Sequence, residues 1–374
     1  MKSLYIGLMS GTSLDGVDAL LADFDPPGMR VLDHVHRPLP PSLRDELLAL
    51  NLAGANELHR AALAANALSR VYASTVDALL QTTQHSRAEI VALGAHGQTV
   101  RHRPAEFDGT GYTLQLLNAA LLAELTKIDV ICDFRTRDLA AGGQGAPLVP
   151  GFHHAIFNQP GLPQAILNIG GISNITLLDG RGGITGFDCG PGNALMDLWI
   201  QHHLNRPFDN NGLWAASGQI QPDLLQQFLS EPFLAQSPPK STGRDLFNEP
   251  WLKRAIHATH KTSAPLSAEA VQATLLELTA EAAAQAVRSL DPPAQRLMVC
   301  GGGALNGQLM ARIQALLPSL LVSSTDTAGL PPMQVEAAAF AWLAHQFNFR
   351  QGANLPAVTG ARGSRILGAL YPAG

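Results

Sequence analysis

Lysine is scarce in this chain, and so is any concentration of charge. Five lysines stand among 374 residues, and charged residues of both signs make up 15%. The formal net charge is −5 with no basic block, which argues against nucleic acid as a partner. Cysteine is rarer still. Cys132, Cys189 and Cys300 are odd in number and widely spaced, so they suit neither a disulfide framework nor a zinc site. A reducing, cytoplasmic compartment is the expectation. No apolar run approaches the roughly 18 residues that span a bilayer, so no membrane partner is expected. The opening MKSLYIGLMSG continues into a strand pattern, and no secretory signal is read there.

Lysine-based phosphate signatures are missing as well. No GxxxxGK[ST] loop occurs, nor a GxSxG elbow, an HExxH pair or an EF-hand loop. The stretch GGGALNG, 301–307, approaches a dinucleotide fingerprint, but Asn306 replaces its third glycine.

What is present is a well-buried composition, 46% hydrophobic, in a chain long enough for two domains. Apolar runs predict strands at 3–10, 16–24, 30–37, 90–97, 128–134 and across 164–188. Helical spacing predicts helices at 41–50, 56–82, 193–204, 267–289, 304–316 and 333–345. The class is α/β, with mixed sheets covered by helices. The Gly- and Pro-rich stretch DLAAGGQGAPLVPG, 138–151, is the expected hinge between an N-terminal lobe, 1–137, and a C-terminal lobe, 152–374. The last segment has the option of packing back on the first lobe.

Two stretches about 160 residues apart share one plan. LYIGLMSGTSLDGVDALLAD and QAILNIGGISNITLLDG each read as strand, small polar turn, strand, a weak internal repeat. A third glycine turn, CGGGALNG, follows the strand RLMV. Glycine lets backbone N–H groups approach an anion, and serine and threonine hydroxyls add donors. One such turn can be a plain hairpin. Three in this order favour phosphate binding, with the third turn opening a helix.

Six stretches together closely resemble the anhydro-N-acetylmuramic acid kinases. They are GLMSGTSLDGVDALL, GAHGQTVRH, DFRTRDLAAGGQGAPLVP, LNIGGISNITLL, GFDCGPGNALMD and MQVEAAAFAWLA. The resemblance runs from residue 5 to about 362. It implies the two-lobed fold of the sugar kinase, actin and heat-shock chaperone ATPase superfamily, with ATP in the cleft. It also implies a reaction: water opens the 1,6-anhydro ring of anhydro-N-acetylmuramic acid and O6 is phosphorylated, in peptidoglycan recycling. A homodimer is a further implication. Wider relatives carry a metal-water aspartate at the first turn, but Met9 stands at that place here, and Asn168 at the matching place in the second hairpin.

The resemblance assigns Gly11, Thr12, Ser13, Leu14, Asp15, Gly16, Val17 and Asp18 to one side of the ATP phosphates. Asp15 or Asp18 would lie near Mg²⁺, unless Asp15 is an ordinary turn residue. Gly170, Gly171, Ser173 and Asn174 would hold the other side, and Gly301, Gly302, Gly303 and Asn306 the adenosine. Asp188 would be the base that activates water. Its place at a strand end before Gly-Pro-Gly suits that role, and helix capping is the plainer alternative. His96 and Gln98, Arg135 and Glu336 are the substrate candidates. Against them stand a locally bonded histidine, a surface ion pair and a helix-first-turn acid. Two other readings remain open: an ATP-driven conformational module, and a sugar hydrolase that needs no ATP. Sugar-dependent ADP release argues for the kinase, and ring opening without nucleotide for the hydrolase.

Overall fold

The computed structural model describes residues 3–11, 13–25, 28–260 and 266–374. Its contacts divide into two compact units, one built from residues 1–157 and 334–374, the other from 158–333. The expected hinge, 138–151, lies inside the first unit. Its Gly/Pro composition reads as loop, but the buried Asp138 orders it. That carboxylate accepts from Gly145 N at 2.7 Å, Asn354 Nδ2 at 2.6 Å and the Thr359 hydroxyl at 2.8 Å.

The first unit opens with β1 (Leu4–Met9), β2 (Gly16–Asp23) and β3 (Arg30–Pro38), an antiparallel meander. β4 (Ile90–Ala95) then pairs parallel with β1 on the other side. β5 (Gln98–Pro104) and β6 (Gly111–Leu116) form a separate hairpin, and β7 (Val130–Cys132) adds parallel to β4. The long helix Glu57–Thr83 places Ala64, Leu68, Tyr72, Val76 and Leu79 at three- and four-residue spacing on one buried face. That face packs on β2 and β3. Each fully buried leucine or valine of this kind contributes about 1.5–3 kcal/mol.

The second unit repeats the plan. β8 (Gln164–Ile169), β9 (Ile172–Leu178) and β10 (Ile184–Pro191) form an antiparallel meander, and β11 (Arg296–Cys300) and β12 (Leu321–Ser324) add parallel to β8. Strand order is 10-9-8-11-12 here and 3-2-1-4-7 in the first unit, with the same relative directions. The weak sequence repeat is thus a repeated topology. The helix Ala268–Arg288 is buried along nearly its whole length and packs on β9, β10 and the helix Gly307–Leu316. Glu277, on its inner side, receives both arms of Arg312 at 2.6 Å.

The chain then returns to the first unit. The helix Val335–Asn348 lies against β1 and β4, and β13 (Ala369–Tyr371) pairs antiparallel with β7. Gly7 and Gly94 permit this close packing. A Cβ on either would run into the backbone carbonyl of Ala337 or Phe340 in that helix.

Candidate active site

In open α/β sheets, ligands bind beyond the carboxyl ends of the parallel strands. Several residues singled out in the sequence fall at those ends in both units. In the first unit they are the turn after β1, His96 and Gln98 after β4, and Arg135 after β7. In the second they are Gly170 and Gly171 after β8, and Gly301, Gly302 and Gly303 after β11. β10 runs in the same direction as β8, so Asp188, near its carboxyl end, shares that edge.

The turn after β1 is braced from several sides. The Ser10 hydroxyl is fully buried, lies 2.9 Å from the Tyr72 hydroxyl and donates to Gly97 O at 3.1 Å. Gln98 Nε2 donates to Gly11 O at 3.1 Å, and Leu14 N closes the turn on the same carbonyl at 3.2 Å. Leu14 and Val17 have core side chains, and Leu14 has a positive φ of 59°. Any contact they make to a nucleotide is therefore through backbone. Gly16 is fixed by its close approach to Arg37 O and the His36 ring. Thr12 lies outside the described residues.

The two acids differ. Asp15 is exposed and its Oδ1 accepts from the Ser13 hydroxyl at 2.8 Å. Asp18 gives one oxygen to His34 Nε2 at 2.9 Å and His36 Nδ1 at 3.0 Å. Burial pushes its pKa up, but those two contacts outweigh burial and hold it below the ordinary aspartate value. The Asp18 carboxylate is therefore tied to the meander rather than presented at the turn. No group of three or more His, Cys, Asp or Glu suited to a metal occurs among the described residues. Mg²⁺ commonly binds through one or two carboxylates, substrate phosphates and waters, and does not need such a cage. Asp15 fits that pattern; Asp18 does not.

His96 is buried and neutral. Burial, then the Arg135 guanidinium, push its pKa down to about 3. Arg135 Nε and Nη2 donate to His96 Nε2 at 3.1 and 3.0 Å, which puts the imidazole proton on Nδ1. That nitrogen lies by the Ser10 and Gly97 carbonyls with no hydrogen bond of normal geometry. Gln98 Oε1 is also buried without a partner among the described residues. Arg135 Nη1 donates to Gly145 O at 2.9 Å, so Arg135 bridges His96 and the 138–151 segment. Glu336 stands in the first turn of the helix Val335–Asn348.

In the second unit three glycine segments meet. Gly192 N and Ala194 N donate to Gly171 O at 2.9 and 3.2 Å, and Asn193 N donates to Gly170 O at 2.8 Å. Asn193 Nδ2 donates to Ile169 O at 3.2 Å. A side chain on Gly192 would strike Gly170 O, and one on Gly303 would strike Ile169. Buried polar groups nearly always have partners, yet Ser173 Oγ and Asn174 Oδ1 are buried without one among the described residues. Two such atoms beside one turn suit a polar ligand. Asn306 caps the helix Gly307–Leu316 through Leu309 N at 3.1 Å, which engages its side-chain oxygen.

Asp188 pairs with Asn174 across the β9–β10 ladder, just before a bulge, and is 5% exposed. Its backbone N donates to Lys240 O at 3.1 Å, and its Oδ2 accepts from Thr242 N at 2.9 Å. It is not a helix cap, since the helix Ala194–Leu204 has Asn193 at its N-cap. Sequence reasoning missed this support from residues 240–242, more than fifty positions away. The polar run KSTGRD between apolar segments was its only signal.

A family model described as anhydro-N-acetylmuramic acid kinase matches residues 3–373. The chain belongs to the anhydro-N-acetylmuramic acid kinase family. It is accordingly a kinase. Its curated relatives include the anhydro-N-acetylmuramic acid kinases of Albidiferax ferrireducens, 56% identical over the whole of both chains, and of Variovorax paradoxus, 57% identical over 99% of each. Among solved structures, the activator of the 2-hydroxyisocaproyl-CoA dehydratase from Clostridium difficile with bound ADPNP is a distant likeness. Its TM-score is 0.46 at 13% identity, covering 94% of this chain and 99% of that one.

Proposed function

We propose that this kinase opens the 1,6-anhydro ring of anhydro-N-acetylmuramic acid with water and phosphorylates O6 from ATP. The product is N-acetylmuramic acid 6-phosphate, and the process served is reuse of cell-wall peptidoglycan. Family membership supports the substrate and the phosphoryl donor. The observation that carries the mechanism is the carboxylate of Asp188 on the same strand end as the Gly170–Gly171 turn. It faces Asn174 in register and is held by Thr242 N.

Asp188 takes a proton from water as the oxygen bonds to C1. The C1–O6 bond breaks, and O6 attacks the γ-phosphorus as it leaves, releasing ADP. Glycoside cleavage usually needs a second carboxyl group to protonate the leaving oxygen. Here the phosphoryl group caps that oxygen, so one carboxylate suffices. Phosphoryl transfer itself needs position and charge. The turns around Gly11–Asp15 and Gly170–Gly171, with Ser13, Ser173 and Asn174, supply donors for phosphate. Gly301, Gly302 and Gly303 supply backbone that lets a nucleoside approach closely. Mg²⁺, when bound, neutralises phosphate charge, and Asp15 is the carboxylate suited to hold its waters. His96, Gln98, Arg135 and Glu336 are the sugar-side residues in this reading, with Arg135 matched to the lactyl carboxylate. The enzyme is read as cytoplasmic from its sparse, widely spaced cysteines and as a homodimer from the family resemblance. No helix among the described residues is long and apolar enough to cross a membrane.

General-base help is worth about 10²–10⁴-fold. Asp188→Asn should lose that much in kcat while melting cooperatively. A near-normal rate of phosphosugar formation in this variant would overturn the base assignment.

A further inference from the structure

Lys240 is a buried cation next to the proposed base. It is 7% exposed, and its Nζ donates to Phe233 O at 3.2 Å and Leu234 O at 3.1 Å. The ammonium also sits 4.8 Å from the Phe233 ring centroid and 5.7 Å from that of Phe187. A buried charge is costly unless hydrogen bonds or an opposite charge compensate it; the two carbonyls do part of this for Lys240.

Three connections tie this cation to Asp188. The Lys240 carbonyl accepts from Asp188 N, and Thr242, two residues on, donates its N–H to the Asp188 carboxylate. The aromatic contact to Phe187 is with the residue preceding Asp188 in β10. We infer that Lys240 is a positioning residue for the base: its plugged side chain fixes the 240–242 segment that orients the carboxylate, and its charge favours the ionised form of Asp188. The inference rests on Asp188 being the base.

The electrostatics agree in sign. Burial pulls the Lys240 pKa down, while Cys189 and Asp188 pull it back up. Coupling between two titrating groups is reciprocal, so an ammonium stabilised by Asp188 stabilises an anionic Asp188 equally. Burial pushes the Cys189 thiol upward and keeps it neutral, so of these two neighbours the Asp188 carboxylate is the one whose charge acts on Lys240.

The test is the pH profile of kcat/KM for Lys240→Gln, Lys240→Met and Lys240→Arg, beside Asp188→Asn. Gln keeps a donor for the two carbonyls, Met keeps the apolar stem, and Arg keeps the charge. In either neutral variant that melts cooperatively, the acid limb should move up by about one pH unit. Lys240→Arg should keep the limb of the unmodified enzyme. A limb unmoved in the neutral variants, or an activity loss equal at every pH, overturns the inference. So does failure of both neutral variants to fold, which would make Lys240 a folding residue. If Asp188→Asn is itself active, the base assignment fails first; if it is inactive and the limb stays put, only the role of Lys240 fails.

Discussion

Asp188 owes its position to partners remote in sequence, and the same is true of His96. Burial, then the Arg135 guanidinium, keep His96 neutral above about pH 3, and the Arg135 bonds to Nε2 leave its Nδ1–H as the donor. Gln98 has a second duty beside its proposed place on the sugar side. Its amide holds the Gly11 carbonyl at 3.1 Å, and with it the shape of the turn after β1. Removing a partner from a buried polar group costs about 1–3 kcal/mol. Gln98→Ala should therefore raise the KM for ATP by about tenfold or more with little change in secondary structure, measured by steady-state kinetics and circular dichroism. An unchanged KM for ATP would separate Gln98 from the phosphate turn. The residues themselves stood out in the sequence as GAHGQT, but their bonds did not. Which carbonyl an amide reaches depends on the register of β1 against β4, which no local pattern contains.

At the scale of elements, the hairpins β1–β2 and β8–β9 were legible because apolar runs flank small polar turns in each. The helices also followed their apolar spacing closely. Other elements were hidden, among them the helices Pro222–Leu229 and Glu249–His260. β13 is three exposed residues, too short to show an alternating pattern. The 138–151 segment looked like a hinge, yet it holds the end of the helix Thr136–Ala140 and the start of Val149–Phe157. A buried aspartate with three donors ordered it, which composition does not reveal. The alanine-rich MQVEAAAFAW became intelligible only once its helix was seen against Gly7 and Gly94. Gly94→Ala should push the backbone of that helix away and destabilise the protein by about 1–3 kcal/mol or more, read from urea denaturation. A midpoint equal to that of the unmodified protein would contradict the close packing.

Taken over the whole molecule, the repeated strand order gathers candidate residues on equivalent sheet edges in each unit. Stability should also carry a pH signature. His96, His102 and His153 are each pushed down to about 3, chiefly by burial. Between that value and the ordinary histidine pKa near 6.5, the unfolded chain binds protons that the folded chain does not. Stability from these residues is full above about pH 6.5 and falls as pH drops below it, by about 1.4 kcal/mol per unit for each histidine at the steepest. His36, raised by its contact with Asp18, acts with the opposite sign, its contribution fading as pH rises through its raised pKa. Replacing His153 by Leu should flatten the decline between pH 6.5 and 5, measured by urea midpoints; an unaltered slope would mean that His153 is protonated in the folded state. The reaction gives the most direct test of all. The enzyme is incubated with ATP, Mg²⁺ and the anhydro sugar in ¹⁸O water, quenched before anomeric exchange, and the product analysed by mass spectrometry. One ¹⁸O at C1 of a 6-phosphate whose phosphoryl group is unlabelled is the predicted result. An unlabelled 6-phosphate, or ring opening at full rate without ATP, would contradict it.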